Sequence, residues 1–454
     1  MIRDRSLMDK KKKIITYGTY DMLHIGHINL LTRAKEQGDY LIVGVTSDDY
    51  DRSRGKLNVV QSQEERINAI KALDFVDKVI LETHKNQKQE DLVKYKIDEF
   101  VIGDDWEGYF DYLNEYTKVV YLPRTAGISS TKLRNENIKP IKIGIIGANG
   151  DARRFLREEK FVDFAQTDHI YDQKKSNIHK VISQHNIPNT YKNLDQFLEQ
   201  DFQAVYICSN IQEHYLHIKK SLEAGKHVLC ENPLVTDKKH TNELFRIAEQ
   251  KDLLLLMALK TAFAPAFNKL LDELSNGIIG EVKEIRATFT SLYKERGFPK
   301  KFIANGATNL LMSYPSLLIQ KVAGPAKKIE FFRQTNGKYD TSNRAITLHK
   351  KGIVGIATVG VEMKSEGDAV ISGTQGYIYI PAPWWKTHEF HIRFEDEHKS
   401  YKFEYEFEGD GLRYMISEFI SLIRQGKIES KRLKISDIKA INKIITTNNN
   451  NKEH

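Results

Sequence analysis

Cysteine is nearly absent: Cys208 and Cys230 are the two in 454 residues, and their spacing is neither a disulfide framework nor a metal-ligand pair. Both read as core thiols of a chain in a reducing cytoplasm. Long apolar runs are also missing. The longest, Leu253 to Leu259, falls far short of the ~20 residues a membrane helix needs. Met1 to Ser6 leads into the lysines Lys10 to Lys13 without the apolar segment a secretory signal requires, so export by that route is not expected. The lysine run reads as a solvated arm. A charge surplus of +8 on 69 bases and 61 acids is too diffuse to argue for nucleic acid and suits small anionic substrates. No internal repeat is visible. With 40% hydrophobic and 29% charged residues and a mean hydropathy of -0.49, the chain is globular, and its length suggests two or three domains.

Buried strands and amphipathic helices alternate from Lys13 onward. Lys13 to Tyr17, Tyr40 to Thr46, Val76 to Leu81, Glu99 to Gly103 and Lys118 to Leu122 read as strands. Between them lie a helix on Ile28, Leu30, Leu31 and Ala34, a polar loop from Asp48 to Lys56, and a helix from Ser62 to Leu73. That alternation predicts a parallel α/β sheet with ligands at the carboxyl ends of its strands. The stretch Gly18 to His27, with His24 and His27 flanking a tight turn, stands at one such end. A helix start there offers free N–H groups and the positive end of a dipole beside two imidazoles, a site for a polyanion such as a nucleoside triphosphate. Arg124 to Lys132 holds a second helix start, with Ser129, Ser130 and Thr131.

With G-T-Y-D-x-L-H-x-G-H and R-T-x-G-I-S-S-T-K at this separation, residues 12–135 resemble the cytidylyltransferases, and among them the glycerol-3-phosphate cytidylyltransferase family; Gly103 to Gly108 adds to the likeness. The resemblance implies attack of a glycerol phosphate on the α-phosphorus of CTP, giving CDP-glycerol and pyrophosphate, in the service of a teichoic-acid-like or capsular polymer. By motif position it makes His24, His27, Lys56 and Arg124 the catalytic set, with Arg54 as an alternative to Lys56. Gly18, Thr19, Tyr20, Arg66, Asp104, Asp105, Ser129, Ser130 and Thr131 become substrate contacts, and Asp21 a candidate ligand for Mg²⁺.

After the polar stretch Asn135 to Pro140, the run Ile141 to Gly150 is a strand entering a glycine turn. Together with Gly225 to Leu234 and Gly280 to Arg286, it makes residues 140–445 resemble the glucose-fructose oxidoreductase and inositol dehydrogenase family. The resemblance implies NAD or NADP held at Gly147, Gly150, Asp168, Ser209, Glu231, Asn232 and Pro233, with Asp168 on the ribose favouring NAD, and Tyr314 as a second-site residue. Asn149, Asn232 and Leu310 stand where that family has glycine, lysine and aspartate. These departures predict dinucleotide binding without ordinary turnover on simple polyols.

The divisions expected are a basic arm (1–11), a Rossmann-like nucleotidyltransferase domain (12–134), a linker (135–140), a dinucleotide-binding Rossmann domain (141–262), an α/β domain with a large, mainly antiparallel open sheet (263–445), and a disordered tail (446–454). Such a sheet implies a homo-oligomer, dimer or tetramer. Three readings stay open: a two-activity enzyme, a transferase with a degenerate sensing or dimerising half, and a transferase for another acceptor such as glycerol-2-phosphate.

Overall fold

The computed structural model describes residues 11–53, 56, 59–84, 86–123, 139–185, 187–396, 398–405 and 407–450. The chain forms two compact units, Met1–Lys139 and Pro140–His454.

The first unit is a five-stranded parallel sheet in the order β3-β2-β1-β4-β5, formed by β1 (Lys13–Gly18), β2 (Tyr40–Thr46), β3 (Lys78–Glu82), β4 (Glu99–Gly103) and β5 (Lys118–Leu122). Successive side chains leave a strand on opposite faces. Ile14, Leu41, Val43 and Val101 therefore pack on one side, and Ile15, Tyr17, Ile42 and Phe100 on the other. Helices on both faces demand the near-continuous apolar strands seen in the sequence. Helix α1 (Ile25–Lys35) follows β1. The expected loop after β2 contains instead a short helix, α2 (Asp48–Ser53). Three aspartates make this segment look like loop, but in a helix's first turn their charge complements the free N–H groups. Helix α3 (Gln63–Lys71) opens with a capping box between Ser62 and Glu65, and α4 is Gln87–Tyr95.

The second unit holds two sheets. Six parallel strands are ordered β11-β10-β9-β6-β7-β8: β6 (Ile141–Ile146), β7 (Ala165–Tyr171), β8 (Asn189–Tyr191), β9 (Ala204–Ile207), β10 (His227–Glu231) and β11 (Leu255–Ala258). An eight-stranded sheet follows, ordered β13-β14-β15-β12-β16-β17-β18-β19. Its strands run from β12 (Val282–Thr290) through β13 (Lys328–Thr335), β14 (Asp340–Leu348), β15 (Val354–Gly360), β16 (Ala369–Gly373), β17 (Gly376–Ile380) and β18 (Glu389–Phe394) to β19 (Ser400–Glu404). Only the β12–β15 pairing is parallel in this mainly antiparallel sheet. The last helix, Ile435–Asn450, continues into the stretch expected to be a disordered tail, because Ile441, Ile444, Ile445 and Thr446 pack inward. Among the described residues no helix is long and apolar enough to cross a membrane.

Candidate functional site

In the first unit the strand order reverses between β1 and β4, which opens a crevice at their carboxyl ends. The turn after β1 lies there. Positive φ at Tyr20 (53°) and Met22 (50°) bends the chain back, and the Tyr20 ring lies on Gly18, where a Cβ would come within 2.8 Å of it. His24 caps α1: the Gly26 N–H donates to His24 Nδ1 at 3.1 Å. An Nδ1 that accepts leaves the proton on Nε2. The His27 ring stacks on it, centroids 3.9 Å apart and 20° between planes, with the Tyr20 edge against His27 at 5.4 Å.

Thr19 is fixed from two sides, donating from Oγ1 to Asp51 Oδ1 at 3.0 Å and accepting from Lys56 Nζ at 3.0 Å. His24, His27, Thr19 and Lys56 thus cluster around the turn or its flank. Three other residues behave differently from expectation. Arg66, expected on the triphosphate, is fully buried. Its guanidinium donates to the Thr19 and Thr46 main-chain oxygens at 2.6 and 2.9 Å and to Asp48 at 2.6 Å, so it holds the turn in place. Tyr20, expected to contact substrate, is 2% exposed and part of the core, and burial pushes its hydroxyl pKa up. Asp21, expected on Mg²⁺, is also 2% exposed, and its oxygens accept from the Val60 and Gln61 N–H groups at 3.0–3.1 Å. That carboxylate organises the loop before α3 and does not fit a metal ligand. Among the described residues no group of three acids, histidines or cysteines gathers for an ion.

Asp104 is exposed in the turn after β4, and Asp105 follows it there. Arg54, Arg124, Ser129, Ser130 and Thr131 lie outside the described residues. Sequence reasoning missed Asp51 because the polar α2 carries no apolar periodicity.

In the second unit the strand order reverses between β6 and β9, and the glycine turn follows β6. Gly147 has φ of 104°, and a Cβ on it would lie 2.7 Å from Ser209 N, so glycine is required for β6 to pass β9 this closely. Asn149 caps the helix Gly150–Glu159: its Oδ1 accepts from the Asp151 and Ala152 N–H groups at 2.9 and 3.1 Å, while its Nδ2 donates to the Cys208 oxygen at 2.6 Å. Ser209 contacts His217 Nδ1 at 2.7 Å. Asp168, expected on the ribose, sits inside β7 with its carboxylate 2.5 Å from His169 Nδ1. The acid just beyond that strand is Asp172, which accepts from the Ala148 N–H at 2.9 Å.

Glu231 closes β10 and accepts from the Tyr206 hydroxyl at 2.5 Å. Asn232 donates to the Ala258 oxygen at 3.2 Å, while its Oδ1 is buried and has no hydrogen-bond partner among the described residues. The main-chain oxygen of Pro233 meets His214 Nδ1 at 3.0 Å. Tyr314 packs edge-on to Phe289, which stacks on Trp385 at 3.7 Å; burial and the nearby Glu231 push its hydroxyl pKa up. Arg154 and Lys260 lie within electrostatic reach of Glu231, with Lys386 and Asp410 near Lys260, and no motif announced any of the four. The available signal for Lys260 was its position directly after a buried apolar strand. Gly147, the open side of Gly150 and the unpartnered Asn232 oxygen together fit a bound dinucleotide.

Both crevices therefore have ligand-binding architecture, and the likenesses to known proteins divide at the same place. Residues 15–136 match the cytidylyltransferase-like family, and residues 141–259 match the oxidoreductase family with an NAD-binding Rossmann fold. Over 125 residues the chain is 50% identical to glycerol-3-phosphate cytidylyltransferase of Bacillus subtilis strain 168, covering 96% of that protein and 28% of this chain. Through its first unit the chain belongs to the glycerol-3-phosphate cytidylyltransferase family. A 150-residue stretch is 31% identical to the scyllo-inositol 2-dehydrogenase (NADP(+)) IolU of the same bacterium, spanning 45% of that protein and 33% of this chain. A crystal structure of KijD10, a 3-ketoreductase from Actinomadura kijaniata in complex with TDP-benzene and NADP, superposes with a TM-score of 0.60 at 22% identity, over 68% of this chain and 98% of that one. At that identity the likeness shows the fold.

Proposed function

We propose that the first unit transfers a cytidylyl group from CTP to glycerol-3-phosphate. A phosphate oxygen of the acceptor attacks the α-phosphorus, the bond to the β-phosphate breaks, and pyrophosphate leaves with no protein nucleophile. Catalysis is then alignment plus stabilisation of charge on the phosphoryl oxygens. The observation that carries this reading is the His24–His27 stack at the start of α1, with His24 Nδ1 accepting from the Gly26 N–H. Lys56 and Thr19 flank the triphosphate, and Arg66 acts by positioning Thr19. Pyrophosphate release from CTP with glycerol-3-phosphate tests the assignment, with ATP and glycerol-2-phosphate as alternatives. Equal rates with ATP would make the unit a generic nucleotidyltransferase, and preference for glycerol-2-phosphate would change the acceptor.

The second unit, in this reading, binds NAD(P) and, in place of simple polyols, exchanges a hydride with a related activated polyol whose own polar groups help position it. The nicotinamide supplies or accepts the hydride when bound. Gly147 and Gly150 allow its phosphates near the backbone, and the Asn232 oxygen accepts a hydrogen bond from the ligand. Fluorescence titration with NADH and NADPH is the test. Absence of binding would leave this half a sensing or dimerising module. The exposed Phe332 on the open face of β13 and β14 supports self-association, which light scattering would check.

A further inference from the structure

Lys260 stands two residues past the end of β11, and β11 pairs in parallel with β10, Ala258 opposite Glu231. The chain at Lys260 therefore lies beside the strand end that carries Glu231 and Asn232. Lys260 Nζ donates to the main-chain oxygen of Asp410 at 2.6 Å, while the Asp410 carboxylate faces Lys386 at 3.2 Å and Arg157 at 3.9 Å. Lys260 therefore receives a carbonyl dipole in place of a counter-ion. Burial, then Lys386 and Arg154, push it down to about 8, against the opposing pull of Asp410 and Glu231.

The neighbouring groups are poorly suited to moving a proton near neutrality. Arg154 does not deprotonate, Asn232 does not titrate, the Glu231 carboxylate holds the Tyr206 hydroxyl, and Tyr314 is pushed further from neutrality by burial.

We propose that Lys260 is the acid and base of the second unit, exchanging a proton with the oxygen of a small carbonyl or alcohol substrate at the carboxyl ends of β10 and β11. The inference rests on the reading that this unit binds a nicotinamide dinucleotide. In the reducing direction Lys260 gives its proton to the carbonyl oxygen as the carbonyl carbon receives a hydride from a reduced nicotinamide. The products are an alcohol, an oxidised nicotinamide and a neutral amine, which solvent reprotonates. A proton donor with a pKa close to the working pH is the efficient one.

The experiment uses the full chain and needs no identified substrate. NADP⁺ and NADPH affinities are measured between about pH 6.5 and 9.5 for the unsubstituted protein, Lys260→Met and Lys260→Arg, with the denaturant transition reported by Trp384 and Trp385 as the control for folding of the second unit. The oxidised nicotinamide ring is cationic and the reduced ring is neutral, so a charged Lys260 beside it disfavours NADP⁺ selectively. The ratio of the two dissociation constants should fall by about tenfold as Lys260 loses its proton. It should stay low and flat in Lys260→Met, and high and flat in Lys260→Arg. Independently, amine modification of Lys260 in the unsubstituted protein, followed by peptide mass, should titrate near 8 in place of the ordinary 10.5. Failure of both nucleotides to bind overturns the dinucleotide reading and the proposal with it. Binding with a pH-independent ratio, or a Lys260 that titrates near 10.5, overturns the proposal alone.

Discussion

The turns after β1 and β6 are two answers to one geometric problem, a parallel strand delivering the chain to a helix N-terminus where an anion could sit. In the first, the cap is an imidazole: one nitrogen takes the Gly26 N–H, and a second imidazole stacks beside it. In the second, the cap is an amide whose oxygen takes two helix N–H groups and whose nitrogen is held by Cys208. The side chain in the cap decides what the helix end still offers. Histidine brings a ring on which a second imidazole stacks, whereas Asn149 satisfies the helix end through both ends of its amide.

Arg66→Met should have the largest effect. It leaves Asp48 and the buried Asp51 without the guanidinium between them, and breaking such a pair costs about 3 kcal/mol or more. Trp106 fluorescence in denaturant follows the first unit, while Trp384 and Trp385 report the second, whose transition should not move. Unchanged stability with lost CTP turnover would return Arg66 to the ligand shell. Next come His24→Ala and His27→Ala, each removing a donor aimed at transition-state charge and lowering turnover about 10²–10³-fold. Both should leave NADPH binding intact, and near-normal pyrophosphate release would remove the distinction drawn between the two turns.

Much of this contrast was legible in the residues. The apolar runs located β2, β4 and β5 to the residue, and the strand–glycine–helix pattern located both turns. What a side chain does once buried was not legible: Arg66, Tyr20 and Asp21 occupy motif positions, yet packing turned all three toward the protein's own backbone or core. Asp168 and Asp172 differ only in where β7 ends, which no spacing rule resolves. Lys260 has no motif at all, since its character comes from groups up to 150 residues away in sequence.

The helix that follows the second turn ends on Glu159, whose pKa burial, with Asp168 nearby, raises to about 7. The native state therefore holds this proton where the unfolded chain, at 4.5, has lost it. The sign follows: its contribution is fully present below the unfolded value and is lost as pH rises through about 7. Glu159→Gln, which can still accept from the Thr167 hydroxyl, should stabilise the second unit by on the order of 2 kcal/mol at pH 8 and hardly at all at pH 4. Equal gains at both pH values would show that charge is not the cause.

Asn149→Gly tests the comparison most directly and with the smallest expected change. Removing the amide frees the Asp151 and Ala152 N–H groups for an anion, at a capping cost of only a few tenths of a kcal/mol because glycine is tolerated at that position; the lost Cys208 contact adds to it. If the self-satisfied cap limits the second turn, NADPH affinity at fixed ionic strength should rise about three- to tenfold, as one hydrogen-bonding competitor is removed. The matching loss in the first unit, His24→Gly, should weaken CTP, because there the cap is part of the site. Weaker NADPH binding in Asn149→Gly would make the asparagine a ligand contact, and the two turns would then differ in chemistry but not in whether their caps serve the ligand.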